Sequence, residues 1–296
     1  MAESDFTAAS LLKHLKIAPD GVAWRLRALP GAHSNRVWHA TAAGAHDCIV
    51  KHHQTDLPDN PLFANDVDVE CEAARRGPVT LVPRLLARRG AWTVWRHVEG
   101  GSHHAPEEAA SQLRAVHAMT PWVGLAVASG SPREWVEQGV AMLETVPLSR
   151  ASDRLRACAP SAPAGPHRCT LVHRDPHPGN WVGGESAVLI DWQCAALGNP
   201  LEDFACYLSR GMRIAYGFEP ATLWQASRFL AAAEIELDAS WVDTQVAYDF
   251  RFACYCAWRG AMLPQAERYT RALDDYVSRA VPVSKPSIDT PLRSRQ

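Results

Sequence analysis

The sequence predicts an α+β fold in two lobes, a small strand-rich one followed by a larger helical one. Three observations carry this expectation. Short runs of apolar, β-branched and aromatic residues separated by turn residues occupy roughly the first third of the chain. A glycine-containing break, VEGG at 98–101, ends them. Beyond it the apolar residues recur at helical spacing almost to the C-terminus. The expected boundaries are 1–97 for the strand-rich lobe, 98–284 for the helical lobe, and 285–296 for a polar, frayed tail. A cleft between such lobes is where a small ligand binds.

In chain order, residues 6–16 (FTAASLLKHLK) read as a short amphipathic helix. Trp24–Pro30, Arg36–Ala42 and Asp47–His52 read as strands, with turns at GAHSN (31–35) and AAGA (42–45). DVDVECEAARR at 66–76 reads as a helix. Arg84–Ala87 and Trp92–Val98 complete a five-stranded sheet with that helix inserted after the third strand. Helical patterns follow at 106–118, 132–145 and 149–158. A Pro- and Ala-rich break (159–166) precedes two short apolar runs, Thr170–Val172 and Ala187–Ile190. The chain then reads as helix from about 200 to 281.

Hydrophobic residues make up 47 % of the 296, enough to bury a sizeable core. The net charge of −2 gives no argument for nucleic acid or an anionic membrane as partner. The acidic N-terminus is no secretory signal, and no stretch approaches the roughly 18 apolar residues of a membrane span. Eight cysteines without a Cys-x-x-Cys pair read as reduced, mostly buried thiols of a cytoplasmic protein, with Cys254 and Cys256 packing within a helix.

The chemistry concentrates in LVHRDPHPGNWV (171–182) and AVLIDWQ (187–193). Asp175 sits in a Pro/Gly-rich loop after an apolar strand, Asn180 begins the next strand, and Asp191 ends another. Asn180 and Asp191 are hard oxygen donors at strand ends, suited to magnesium that completes its shell with phosphates and water. Asp175 is then left to take a proton from an attacking hydroxyl. Phosphoryl transfer needs such an arrangement, because its loose transition state is helped mainly by positioning and charge neutralisation.

The spacing His-x-Asp-x-x-x-x-Asn followed by Asp resembles the protein-kinase-like superfamily. Over roughly residues 20–280 the chain resembles the aminoglycoside phosphotransferase and choline kinase family of small-molecule kinases. The resemblance implies ATP and Mg2+ as cofactors and a bilobal protein-kinase-like fold. It implies Asp175 as catalytic base, Asn180 and Asp191 as metal ligands, His173 as an internal buttress of the loop, and Asp203 as a tie from that loop to the next helix. LPGAHSNRVWHA (29–40) resembles the family's nucleotide-covering hairpin, which puts Gly31, Ser34 and Asn35 near phosphates, although Ala32 stands where the family often has a second glycine. Lys51 would reach the α- and β-phosphates. Glu70, rather than Glu72, would hold Lys51. Val98, in RHVEGG, would be the hinge whose backbone meets adenine. An intact set of Lys51, Asp175, Asn180 and Asp191 argues against a catalytically silent nucleotide-binding module.

Other residues have two readings. His177 either contacts substrate or phosphate, or makes a loop hydrogen bond. Trp181 and Trp192 read as packing beneath the site, and His117 as core with a satisfied hydrogen bond. A protein substrate is excluded by the short connection from Asp191 to the helix containing Asp203, which leaves no room for an activation segment. The acceptor is therefore a small molecule. Residues 201–250 hold eight acids against three arginines, and Trp224, Trp241, Tyr248, Tyr255 and Trp258 lie in or just beyond them. That combination suggests a cationic alcohol of the choline, ethanolamine or thiamine kind, with an aminoglycoside as the alternative.

Overall fold

The computed structural model describes residues 8–14, 23–29, 35–54, 60–101, 105–163, 169–184, 187–263 and 267–280. Gly31, Ala32, Ser34 and the tail at 285–296 lie outside the described residues.

The front of the chain forms β1 (Arg25–Ala28), β2 (Asn35–Thr41), β3 (Cys48–His53), β4 (Leu85–Arg89) and β5 (Trp92–Arg96), paired antiparallel in the order β1-β2-β3-β5-β4. Lys51 pairs with Val37 on one side and Thr93 on the other, in the middle of the sheet. One face is closed by α1 (Ala8–His14), whose Leu11 and Leu12 join Val50, Trp92 and Val94 in a small separate core. The last strand ends at Arg96 rather than Val98, which is free of the ladder.

The helix α2 (Val67–Arg76) follows β3. Asp66 caps it by accepting from the Asp68 and Val69 amides, and Arg75 and Arg76 lie at its negative end. Val69 and Ala73 join the larger hydrophobic core of the molecule. The Glu70 side chain, between them in sequence, faces Lys51 of the sheet. Buried apolar contacts thus fix the helix while one charged residue crosses to the strands.

After the break come α3 (Pro106–His117), α4 (Pro132–Glu144) and α5 (Arg150–Ala157), then β6 (Thr170–Val172), β7 (Trp181–Val182), β8 (Val188–Leu189) and β9 (Ala196–Gly198). β6 pairs with β9 and β7 with β8, so two small ribbons present the loop segments 173–180 and 190–195 together. The rear helical stretch is divided into α6 (Leu201–Leu208), α7 (Arg210–Ala215), α8 (Leu223–Ala233), α9 (Ala239–Met262) and α10 (Glu267–Ala280). Side-chain caps start three of them: Ser209 for α7, Thr222 with Gln225 for α8, and Asp238 for α9. Periodicity alone blurs such breaks, because the apolar stripe continues across them.

The central helix α9 is buried on nearly every side between Thr244 and Arg259, wrapped by α4, α6 and α10. Cys254 and Cys256 are buried within it, and all eight cysteines are free thiols. Among the described residues no helix is long and apolar enough to cross a membrane.

Candidate active site

A cleft of about 540 Å³ opens between the five-stranded sheet and the helical part. Its wall brings Asn35, Lys51 and Glu70 of the front of the chain together with Asp175, Asn180 and Asp191, more than a hundred residues on. His177 and Val98 line it too.

The Lys51 ammonium is almost fully buried and held by four oxygens. Its Nζ lies 2.8 and 2.9 Å from the two Glu70 oxygens, 2.8 Å from Asp191 Oδ1 and 2.6 Å from Gln193 Oε1. Burial pulls the Lys51 pKa down, but the Asp191 and Glu70 carboxylates outweigh it and hold the ammonium charged. Burial pushes Glu70 up, yet Lys51 and the imidazole of His53, 3.1 Å away, bring it down to about 2. Glu72 points elsewhere and pairs with Arg75 and Arg76 on the surface. Asn35 enters the same network by donating to Gln193 Oε1 at 3.0 Å.

Asp175 follows β6. The loop that carries it turns through Arg174 at φ 71°, a left-handed conformation that disfavours side chains. Asp203 on α6 holds this turn. Its Oδ1 accepts from the Arg174 amide at 2.6 Å, and its Oδ2 accepts from the His173 amide at 2.8 Å and pairs with His117 Nε2 at 2.9 Å. The Arg174 guanidinium ends on buried Glu202, which Arg251 also clamps at 2.7 Å. His173 bridges two loops: its Nε2 bonds the Ile190 carbonyl at 3.0 Å and its Nδ1 accepts from the Asp175 amide at 3.3 Å. Burial lowers the His173 pKa, so the ring serves as a neutral strut.

Asn180 donates to both the carbonyl and Oδ2 of Asp175, at 2.8 and 3.2 Å. Burial, followed by the like charge of Asp191, pushes the Asp175 carboxyl well above its ordinary range, although the Asn180 amide opposes this. Asp175 Oδ1 is buried with no hydrogen-bond partner. Asp191 stands at φ 64°, with its side chain partly open to the cleft. Both Asn180 amide hydrogens face Asp175, which leaves the carboxamide oxygen for another partner. The Asn180 carboxamide oxygen and the Asp191 carboxylate are hard oxygen donors of the kind that fits magnesium, and the orphaned Asp175 oxygen stands beside them.

Trp181 and Trp192 are buried beneath the loops, donating to the carbonyls of Pro176 and Leu189. His177 does make a loop hydrogen bond, accepting from the Gly179 amide at 3.0 Å. It also lines the cleft, stacked on Tyr216 with centroids 3.7 Å apart. A side chain at Gly179 would come within 2.8 Å of the His177 ring and 3.2 Å of Phe218, so that position must stay small. Gly100, at φ 119°, packs against the backbone of Gly183, and a Cβ there would lie 2.9 Å from it. The close approach joins the segment after Val98 to the turn between β7 and β8.

The acids and aromatics of residues 201–250 that suggested a cation pocket do not line this cleft. None of the eight acids and none of Trp224, Trp241, Tyr248, Tyr255 or Trp258 is in its wall. Glu202 and Asp203 are buried with basic or backbone partners, and Trp241, Tyr248, Tyr255 and Trp258 are core. Sequence reasoning passed over Gln193, Tyr216, Phe218 and Arg268, all of which reach the cleft. The position of Gln193, two residues beyond Asp191, was its one visible signal. Tyr216 and Phe218 were flagged only by the glycine between them, and Arg268 by nothing.

Comparison with known proteins gives the same picture. The sequence model of the phosphotransferase enzyme family matches residues 25–238. None of the curated proteins compared matches the chain. Among solved structures, a macrolide 2'-phosphotransferase, MphH from Brachybacterium faecium, superposes with a TM-score of 0.61 at 14 % identity, covering 90 % of this chain and 95 % of that one. The choline kinase LicA from Streptococcus pneumoniae gives 0.60 at 15 %, covering 90 % and 96 %. A choline/ethanolamine kinase family protein from Mesorhizobium loti gives 0.58 at 16 %, covering 86 % of each chain. At these identities the likeness is one of fold: the bilobal, protein-kinase-like α+β architecture.

Proposed function

This chain belongs to the phosphotransferase enzyme family and is a small-molecule phosphotransferase with a hydroxyl acceptor, and from that premise we propose that it transfers the γ-phosphoryl group of ATP with the help of Mg2+. One observation supports this most: Lys51, Asp175, Asn180 and Asp191, from separate elements, converge on one cleft with their polar atoms turned towards each other.

In this reading Lys51 binds the α- and β-phosphates while Glu70 keeps the ammonium in place. Gln193 and Asn35 steady the same group, and the Val98 backbone meets the base. Asn180 and Asp191 hold magnesium, which on binding neutralises phosphate charge and orients the γ-phosphoryl group. Asp175 Oδ1, lacking a partner, receives the hydroxyl proton. His173 and Asp203 hold the loop so that this oxygen faces the acceptor. Because burial raises the Asp175 pKa, the ligand-free carboxyl is largely protonated in acid and becomes a competent base as pH rises.

The test is coupled ADP release with magnesium and ATP over a panel of alcohols, in wild type and Asp175→Asn. Transfer to an alcohol above the water background, abolished in a folded Asp175→Asn protein, supports the reading. Equal turnover in the two proteins rules it out. A choline-like or aminoglycoside acceptor is supported by the family resemblance alone, since the acids and aromatics that suggested a cation lie away from the cleft.

A further inference from the structure

We propose that the acceptor is an alcohol carrying an anionic group, a carboxylate or a phosphate, and that Arg268 receives this group across an aromatic wall made by His177, Tyr216 and Phe218. The inference rests on the phosphotransferase reading above and names the chemistry of its second substrate.

The argument begins at Asp175, where the reacting hydroxyl must lie. His177 Nε2 is 4.0 Å from Asp175 Oδ1, so the imidazole borders the reacting position. Its ring stacks on Tyr216, 3.7 Å between centroids and 20° between planes, with Phe218 tilted at 6.4 Å. Over the Tyr216 ring lies the Arg268 guanidinium, 5.7 Å from its centroid. All four side chains line the same cleft as Asp175. The wall therefore runs from the catalytic carboxylate through two stacked rings to one cationic group. A small molecule with a hydroxyl at one end and a charge at the other spans such a distance.

The sign of charge follows from what the wall contains. Among the described residues lining the cleft the carboxylates are Glu70, Asp175 and Asp191. Glu70 and Asp191 are bonded to Lys51, and Asp175 is the proposed base. Glu70 and Asp191 lie off the His177–Tyr216–Phe218 wall and Asp175 borders its His177 end, while Arg268 carries the formal charge at the Tyr216 end. Arg96 and His97 lie on the strand side, near Val98. A cationic alcohol docked against this wall would meet a guanidinium, whereas a carboxylate or phosphate would meet a planar fork of donors matched to its oxygens.

The guanidinium is well placed to act in this way. Arg268 stands in the first turn of α10, next to buried Tyr269, and lies 4.8 Å from the Tyr269 ring as well. Two ring contacts hold the plane, and five N–H donors leave capacity for an anion beside its other bonds. α10 itself is anchored by Leu273 and Tyr276 in the core and by Asp275 bound to Arg210.

The experiment measures ADP release at saturating magnesium-ATP with small alcohols differing in charge. Choline and ethanolamine are the cations, glycerol the neutral alcohol, glycerate and gluconate the carboxylates, and glycerol 3-phosphate and glucose 1-phosphate the phosphates. Magnesium-ATP binding is followed separately by calorimetry. The expected result is turnover of a carboxylate or phosphate alcohol above background, and the two arms tell which anion is read. Arg268→Ala then raises the acceptor KM at least tenfold, leaves the KM for ATP and the melting temperature unchanged, and is partly rescued by Arg268→Lys. A merely structural arginine would move the melting temperature without this KM split. Three results overturn the inference while sparing the phosphotransferase reading: preference for a cationic or neutral alcohol, an anionic acceptor whose KM ignores Arg268→Ala, or intact magnesium-ATP binding with no anionic alcohol turned over. Failure of wild type to bind magnesium-ATP overturns both.

Discussion

The two ends of the cleft are built by different physics. At the Lys51 end, buried opposite charges satisfy one another: one ammonium meets two carboxylates and the Gln193 oxygen, and Asn35 closes the network. At the Asp175 end, a buried carboxylate oxygen with no hydrogen-bond partner lies beside a His177 ring stacked on Tyr216. The first end is assembled without a ligand. The second leaves a reactive atom unmatched. On the proposed reading the two ends divide the tasks: charge pairs grip the nucleotide, and shape with a single charge selects the alcohol.

This contrast can be broken most severely at Asp175. Asp175→Ala is expected to lower transfer by about 10²–10⁴-fold, the usual contribution of a positioned base, while circular dichroism shows a folded protein. Lys51→Ala attacks the other end, where it leaves the Glu70 carboxylate buried with only the His53 imidazole beside it. It should lower unfolding stability by about 3–5 kcal/mol in urea titration and abolish measurable ATP binding. A fully stable Lys51→Ala protein would mean that the charge network is not the grip described here. Gln193→Ala removes one oxygen from Lys51 and orphans the Asn35 amide, for about 1–3 kcal/mol by the same titration, with a higher KM for ATP and little change in the acceptor KM.

The subtlest distinction is in pH. Glu70 is held at about 2, below its usual 4.5. The stability it contributes is fully present above 4.5 and is lost as pH falls through about 2. Asp175 is raised, so the fold favours its protonated form. In the ligand-free protein its ionisation costs stability as pH rises from the usual carboxylate value of 3.8 through the raised one. Asp175→Asn should therefore flatten the decline on the high-pH side and leave the acid arm intact. Urea midpoints across pH that keep the same high-pH decline in Asp175→Asn would remove this account.

The Lys51 end was largely legible in the sequence, and so was the catalytic loop. Asp175, Asn180 and Asp191 lie in one short segment, so their chemistry shows in residue spacing. The choice of Glu70 over Glu72 agrees with the ion pair observed, because residues two apart on a helix point in different directions. The acceptor wall was not legible. Tyr216 and Phe218 follow α7 and Arg268 begins α10, so only the packing of α7 against α10 brings them to Asp175. The count of acids in 201–250 did not reveal which carboxylates reach the cleft. It weighted every carboxylate equally, whereas Glu202 and Asp203 are spent on Arg251, Arg174 and the loop backbone.

By itself the sequence determined the five-stranded sheet, the order of the elements, and the spacing of Asp175, Asn180 and Asp191 on one short segment. These depend on local periodicity, turn chemistry and short-range spacing, all written along the chain. The tertiary structure alone decided which aromatics became core, which acids were neutralised, and which arginine reaches the cleft. Those outcomes depend on burial and on partners from distant segments, and a side chain's partner is set by where its helix packs rather than by its neighbours in sequence.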